Sequence, residues 1–422
     1  MKFLSWICFA LMLASCTSGG KGPDKGVSFA LPDLSGIYPY VENSAYSTQL
    51  KSCANISTGA ASCQLSKLPL IGMEFDQPTV EQIMQRVLVS HDWMGLRFQE
   101  YLNEAPPEIL TLFKATSAIV IASNIRPSFF LSYSGAIYLD SYFFWLNNEE
   151  KATVTKSSDY RSSFGQYLPF KLRTRNLINN EFAYTYPSLN GNEERPLEDI
   201  IISTSRVILH ELAHANDCVQ TQNMVNISDD QSYYSLLNSQ KSDGQCAYQK
   251  LTDFSPLNSD IWKSLGRVLF HGFEETADQI SMSPRSAGET FGADDALDFY
   301  SYSTEREDTA ISFEVLMLKK LFNVDLDVYV VPSYTVDSCD IQVSWGERGR
   351  LAKPSVYARA EFVSDMMFPG MDLDTLYQSL PATFDIPEGS SSCTRDFSQT
   401  ASAAMKVMKS EPFYPYEEIP IL

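Results

Sequence analysis

Histidine is scarce in this chain, with 4 among 422 residues, so two close together carry information. Other absences remove whole chemistries. There is no C-x-x-C, so the cysteines lack the usual spacing of thiolate zinc ligands. There is no glycine-rich phosphate loop and no G-x-S-x-G, which sets aside P-loop phosphate binding and a serine nucleophile elbow. No internal repeat is visible. Basic residues are in deficit. The 32 Lys and Arg against 52 Asp and Glu give a formal net charge of -20, which disfavours nucleic acid and anionic membrane surfaces as partners. Beyond the first segment no run of 18 apolar residues occurs, so the body is not expected to span a bilayer. What is abundant is apolar and aromatic content, 44% and 12%, which suffices for a large core.

Two of the four histidines fall in His210-Glu211-Leu212-Ala213-His214, an H-E-x-x-H. On a helix, residues four apart share a face, so both imidazoles can aim at one point. Glu211 lies about 100° further round, within reach of a water at that point. Leu197, Ile200, Ile201, Val207, Ile208 and Leu212 recur at helical spacing behind Pro196, a favourable first-turn residue. The run Pro196 to Cys218 is therefore expected to be a helix of about six turns, mostly buried. Zn2+ accepts imidazole and keeps an open position in catalytic sites, so the expected chemistry is metal-assisted hydrolysis with Glu211 as general base.

The chain starts with Lys2 and an apolar stretch, Phe3 to Leu13, too short for a membrane span. Leu13-Ala14-Ser15-Cys16 follows and resembles the bacterial lipobox. That resemblance implies a signal peptide over 1–15 and lipidation of Cys16. Residues 16–30 then form a tether, rich in glycine and without apolar pattern. Thr17 is not the aspartate associated with inner-membrane retention in Gram-negative lipoproteins. The resemblance thus favours the cell envelope, at the outer membrane or surface, with membrane contact through the lipid. Apart from Cys8 and Cys16, six cysteines remain, an even set that in an exported chain implies disulfides. The sequential pairing is expected: Cys53 with Cys63, Cys218 with Cys246, Cys339 with Cys393.

The body, 31–422, divides into N-terminal helices and sheet (31–150), metal-site helices (196–322) and a C-terminal region (323–422). Residues 28–75 lack periodicity and are expected as loops. Val80, Ile83, Met84, Val87 and Leu88 make a helical stripe opened by Thr79, continuing toward Tyr101. Pro106-Pro107 starts a short helix through Phe113. Ser117 to Ser123, Gly135 to Asp140 and Val324 to Pro332 are expected strands. Residues 148–195 are expected as irregular surface structure over a cleft, and 355–382 as one or two helices. His91 is expected to cap or pack rather than ligate.

A catalytic zinc needs a third protein ligand. In metzincins it lies six residues past the second histidine, with a glycine at the third. Here those positions are Gln220 and Asp217, which excludes that class. No glutamate occurs from Leu212 to Phe273. Two later segments remain open. Glu274-Glu275-Thr276-Ala277-Asp278 resembles the gluzincin E-x-x-x-D. Glu307-Asp308-Thr309-Ala310, behind Phe299-Tyr300-Ser301-Tyr302-Ser303-Thr304, resembles the tyrosine-led E-D-x-A segment of several gluzincin families, although Ile311 replaces a second glutamate. Thr304-x-x-Glu307 also reads as a helix-start capping box, which would account for Glu307 without any metal. The tyrosine-rich lead-in favours Glu307, with Glu274 as the alternative.

The chain thus resembles gluzincin-like zinc metallopeptidases in its metal helix and, loosely, in residues 299–314. The resemblance implies an α+β, zincin-like fold, mostly helical, with a small mixed sheet before the metal-binding helix. It implies zinc held by His210, His214 and Glu307, and an oxyanion donor among Tyr300, Tyr302 and His271. It also implies a peptide or protein substrate gripped along a sheet edge, for which Gly135 to Tyr138 is the candidate. Two other expectations stand beside it: an envelope lipoprotein that binds metal or keeps the helix without turnover, and an amidase acting on cell-wall peptides.

Overall fold

Residues 119–122 are Ile-Val-Ile-Ala, a run that is apolar on both sides of a strand and so demands a sheet covered on both faces. That is what a computed structural model of the chain contains. It describes residues 29–334 and 339–397. The signal segment, Cys16, the tether up to residue 28 and the Pro-Tyr-rich end lie outside the described residues.

The first sheet has five short strands: β1 (Tyr38–Pro39), β2 (Val87–Val89), β3 (Ile119–Ala122), β4 (Phe129–Leu131) and β5 (Ala136–Asp140). Their order is β1-β2-β3-β5-β4. β2, β3 and β5 run parallel, while β1 and β4 are antiparallel edges. Side chains alternate as a pleat requires. Val87, Val89, Ile119, Ile121, Phe130, Ile137 and Leu139 join the main core, which includes the metal helix. Leu88, Val120, Phe129, Leu131 and Tyr138 face a second core with Leu34, Ile37 and Leu50.

Several expectations change here. The stripe beginning at Val80 is not one helix. Thr79 and Gln82 close a capping box, but the helix ends at Met84, and Val87–Val89 enter the sheet. Three successive apolar residues, two of them β-branched, suit a strand buried on both faces. A separate helix, Asp92–Glu104, follows, with His91 at its N-cap position beside the Ser90 hydroxyl. Gly135 to Tyr138 is not a sheet edge, because β5 lies between β3 and β4; the edge nearer the metal helix is β4. Residues 28–75 include a helix, Ser47–Ala54.

The fold is mixed α+β, but with two small sheets rather than one. The second sheet is antiparallel throughout, in the order β10-β9-β8-β6-β7. It comprises β6 (Phe170–Ile178), β7 (Glu181–Phe182), β8 (Asp325–Pro332), β9 (Trp345–Arg348) and β10 (Phe384–Asp385). β8 is the strand expected at Val324 to Pro332. β6 falls in the stretch expected to be irregular. Its pattern is hidden by Arg175, which is buried and donates to the fully buried Asp327 at 2.6 Å; Arg348 of β9 meets the other oxygen at 2.6 Å. Buried cations look like surface residues in a hydropathy pattern.

The metal helix, Glu198–Cys218, lies against β4 and β5 on one side and the helix Glu305–Phe322 on the other. Its polar side chains are tied down. Ser205 bonds Tyr101 at 2.9 Å, Thr204 donates to the Phe143 carbonyl at 3.0 Å, and Asn216 donates to the Leu112 carbonyl at 3.0 Å. At its far end Cys218 is bonded to Cys246, the residue before the helix Ala247–Phe254. Asp217 accepts from the Tyr248 N–H at 2.9 Å, satisfying an otherwise orphaned donor of that helix. The other bridges are Cys53–Cys63 and Cys339–Cys393, so the connectivity is sequential.

The Cys218–Cys246 bridge closes a loop with a sequence separation of 28. Loop-closure entropy alone assigns it about 3–4 kcal/mol. Replacing both cysteines by serine is expected to lower the unfolding free energy by that order, read from denaturant titrations of the two proteins. An unchanged midpoint would mean that the helix end is held by packing instead.

Candidate metal centre

His210 and His214 stand one turn apart, with ring centroids separated by 4.8 Å and planes at 85°. Their Nε2 atoms face each other at 3.2 Å. Glu307 supplies the third group: its Oε2 lies 3.1 Å from His210 Nε2 and 3.4 Å from His214 Nε2. A tetrahedral zinc with bonds of about 2.0–2.1 Å separates its donor atoms by about 3.3 Å, and this triangle has that size. All three residues are buried, as is Glu211.

Glu307 arrives by a diverted helix cap. Thr304 Oγ1 accepts from the Glu307 N–H at 3.2 Å, the first half of a capping box. In the second half, the glutamate side chain would return to the Thr304 N–H. Here the carboxylate turns instead to the histidines. Asp308, next in sequence, faces Arg359 and forms an ion pair with it. The E-D pair thus divides into one acid that faces the two histidines and one that is paired with Arg359.

The two facing helices run antiparallel, because contacts that advance along one retreat along the other. Glu314, two turns after Glu307, places Oε2 at 3.0 Å from His210 Nδ1. Its Oε1 accepts from Arg206 Nε at 2.8 Å. A carboxylate on Nδ1 fixes the tautomer that leaves Nε2 free for a metal, and the arginine holds the carboxylate.

The charges fit a cation at the triangle. Burial opposes charge on His210, but hydrogen bonds and charges from Glu307 and Glu314 outweigh it and raise its proton affinity well above the imidazole range. Burial lowers His214 to about 4, against the pull of Glu307. Glu307 resists the upward push of burial and is held at about 2 by the two imidazoles. In the metal-free protein one proton on His210 therefore does part of a cation's work. Burial, with the nearby Glu307 and Glu314 charges, pushes Glu211 up to about 8. Glu211 Oε2 and Glu307 Oε1 are buried, and neither has a hydrogen-bond partner among the described residues. Unpaired carboxylate oxygens of this kind are costly unless a metal and its water satisfy them.

The remaining candidates divide. Tyr300 is buried with its ring centroid 6.4 Å from that of His210, and its hydroxyl accepts from Arg161 at 3.3 Å. Tyr302 turns away: its hydroxyl donates to Asp294 at 2.7 Å and its ring lies against Trp262. The close approach of this turn to the helix Asp260–His271 requires Gly266, where a Cβ would come within 2.1 Å of the Tyr302 carbonyl oxygen. His271 is likewise engaged elsewhere, with Nε2 donating to the Ser303 carbonyl at 2.9 Å. The alternative ligand Glu274 is exposed, between two helices. Only one other group of potential ligands occurs among the described residues, Asp217 with Cys218 and Cys246, and its sulfurs are joined in a disulfide.

One residue escaped the sequence reading. Tyr160, in the irregular segment before β6, has a buried hydroxyl without a partner among the described residues, and it feels the charge of Glu307. Its neighbour Arg161 is clamped by Asp159 at 2.6 Å and reaches Tyr300. No periodicity or motif marks this segment, so nothing local pointed to it. No protein-family model, curated protein or solved structure matches the chain.

If the triangle holds a metal, removing the carboxylate behind His210 loosens it. Glu314→Gln is expected to weaken affinity by about 10–100-fold in chelator competition, with the fold retained. Loading must also displace the His210 proton. Affinity is expected to fall as pH is lowered, and calorimetry in buffers of different ionisation heat should record net proton release near neutrality. Proton uptake would contradict this assignment.

Proposed function

We propose that this chain is an exported, lipid-anchored zinc metallohydrolase acting on peptide bonds, in the manner of the gluzincin-like enzymes its motifs resemble. The observation that carries the reading is the convergence of His210, His214 and Glu307 at tetrahedral donor spacing, with a fourth buried residue, Glu211, whose Oε2 has no hydrogen-bond partner among the described residues. Two histidines and a glutamate leave one position open, the pattern of catalytic rather than structural zinc.

A bound zinc supplies Lewis acidity toward a carbonyl oxygen and lowers the proton affinity of a coordinated water. Glu211, buried beside the triangle with one oxygen unpaired among the described residues, would take the proton from water and deliver it to the departing amine. Glu314 and Arg206 keep the His210 ring from turning. Tyr300, whose ring lies 6.4 Å from that of His210, and Tyr160, whose unpaired hydroxyl feels the charge of Glu307, would be the donors that steady negative charge on a carbonyl oxygen. Enclosure lowers the local dielectric and strengthens each of these interactions.

Export is supported by three disulfides, which persist in oxidising compartments. Among the described residues no helix is long and apolar enough to cross a membrane. The burial of all four site residues favours a second reading, a metal-holding envelope protein without turnover.

Glu211→Gln separates the two readings. A hydrolase is expected to retain zinc stoichiometry and lose at least about 100-fold in kcat/KM on an unfolded protein substrate. If wild type and variant are equally inert while both hold zinc, the enzyme reading fails. Tyr160→Phe is expected to lower kcat by about 10–100-fold with little change in KM. A change in KM alone would place Tyr160 in substrate binding instead.

A further inference from the structure

Arg306 precedes the metal-facing Glu307, and its environment is unusual for an arginine in a protein interior. Its guanidinium lies 4.6 Å from the centroid of the Tyr248 ring and 3.7 Å from Asp217 Oδ2. The second distance is that of an ion pair, too long for a hydrogen bond. Asp217 is in any case engaged, because its Oδ1 accepts from the Tyr248 N–H. The five N–H donors of Arg306 therefore have no close acceptor among the described residues. The side chain is 19% exposed, whereas Asp217 beneath it is 3% exposed.

Tyr233 lies in the same field. Its phenol feels the charges of both Arg306 and Asp217, and its hydroxyl is buried without a hydrogen-bond partner among the described residues. The residue is 2% exposed, and its ring meets Phe130 of β4 edge-on at 6.3 Å. A buried hydroxyl without a partner is costly. Each group calls for an acceptor, and a planar carboxylate matches the guanidinium fork. Arg306 faces Asp217, three residues past His214, and the Tyr233 ring lies on β4 through Phe130.

We propose that Arg306 and Tyr233 form a carboxylate-binding subsite flanking the metal centre, so that the substrates are peptides presenting a carboxylate close to the bond cleaved. This rests on the peptidase reading for the word substrate, but binding at the subsite does not depend on turnover. The carboxylate can come from a free C-terminus or from an Asp or Glu side chain.

The test is calorimetric binding of three short N-acetylated peptides to the mature full-length protein, with and without added zinc. One carries a free C-terminal carboxylate, one is its amide, and one is the amide with a glutamate in the chain. Wild type is expected to bind at least one of the two acids tenfold or more tightly than the neutral amide. Whichever acid binds better identifies the source of the carboxylate. Arg306→Gln should bring the ratio close to one, and Arg306→Lys should keep part of it. Tyr233→Phe removes only an unpaired hydroxyl, so it should fold normally and lose several-fold in acid binding alone. Equal binding of acids and amide by wild type, no binding of any peptide, or a preference that survives Arg306→Gln overturns the proposal. A protein that prefers the acid yet neither holds zinc nor cleaves any peptide would instead remove the enzyme reading and leave the subsite standing.

Discussion

The structure turns on a seam of charge between two antiparallel helices. Arg206, His210 and His214 follow one another at four-residue steps on one helix, while Glu307 and Glu314 stand two turns apart on the other. Arg206 meets Glu314, Glu314 and Glu307 both meet His210, and Glu307 also meets His214. Such a buried row would be a liability if any member were missing, because an uncompensated buried charge is far more costly than the pair is stabilising. The row therefore sets the register of the two helices, and the rest of the fold serves to keep them in place.

That service comes from three directions. The first sheet supports the metal helix through β4 and β5, with apolar residues on both of its faces. The Cys218–Cys246 bridge and the Asp217 cap fasten its far end to the helix Ala247–Phe254. The Glu helix leads directly into β8, the central strand of the second sheet, whose buried Asp327 gathers Arg175 and Arg348. Rigid support of this sort holds the three donor atoms 3.1, 3.2 and 3.4 Å from one another.

Around the triangle the polar groups differ in how completely they are satisfied. Arg161 is clamped by Asp159, and Tyr302 is committed to Asp294. Glu211, Tyr160 and Tyr233 each retain a buried atom without a partner among the described residues. Native interiors rarely leave such atoms unpaired.

Much of the site was legible locally. H-E-x-x-H on a helical stripe placed two histidines on one face with Glu211 beside them because helix periodicity alone brings residues four apart together. Thr304-x-x-Glu307 marked a helix start correctly, but whether its glutamate bonds the backbone or the histidines is decided by what faces it. Strands with unbroken apolar runs, such as β3 and β5, were visible. β2 was absorbed into a neighbouring helical pattern, and β6 was masked by a buried arginine whose partner lies 152 residues away. Tyr302 and Tyr300 are equally plausible in sequence, and the fold commits the Tyr302 hydroxyl to Asp294.

The chain by itself determined the elements whose causes are local: the metal helix, the even set of cysteines, the caps and the acidic balance. Tertiary structure decided which acid completes the triangle, which tyrosines approach it and which sheet edge lies nearest. Those choices depend on contacts between residues about a hundred positions apart, and hydropathy and spacing hold no record of such pairs.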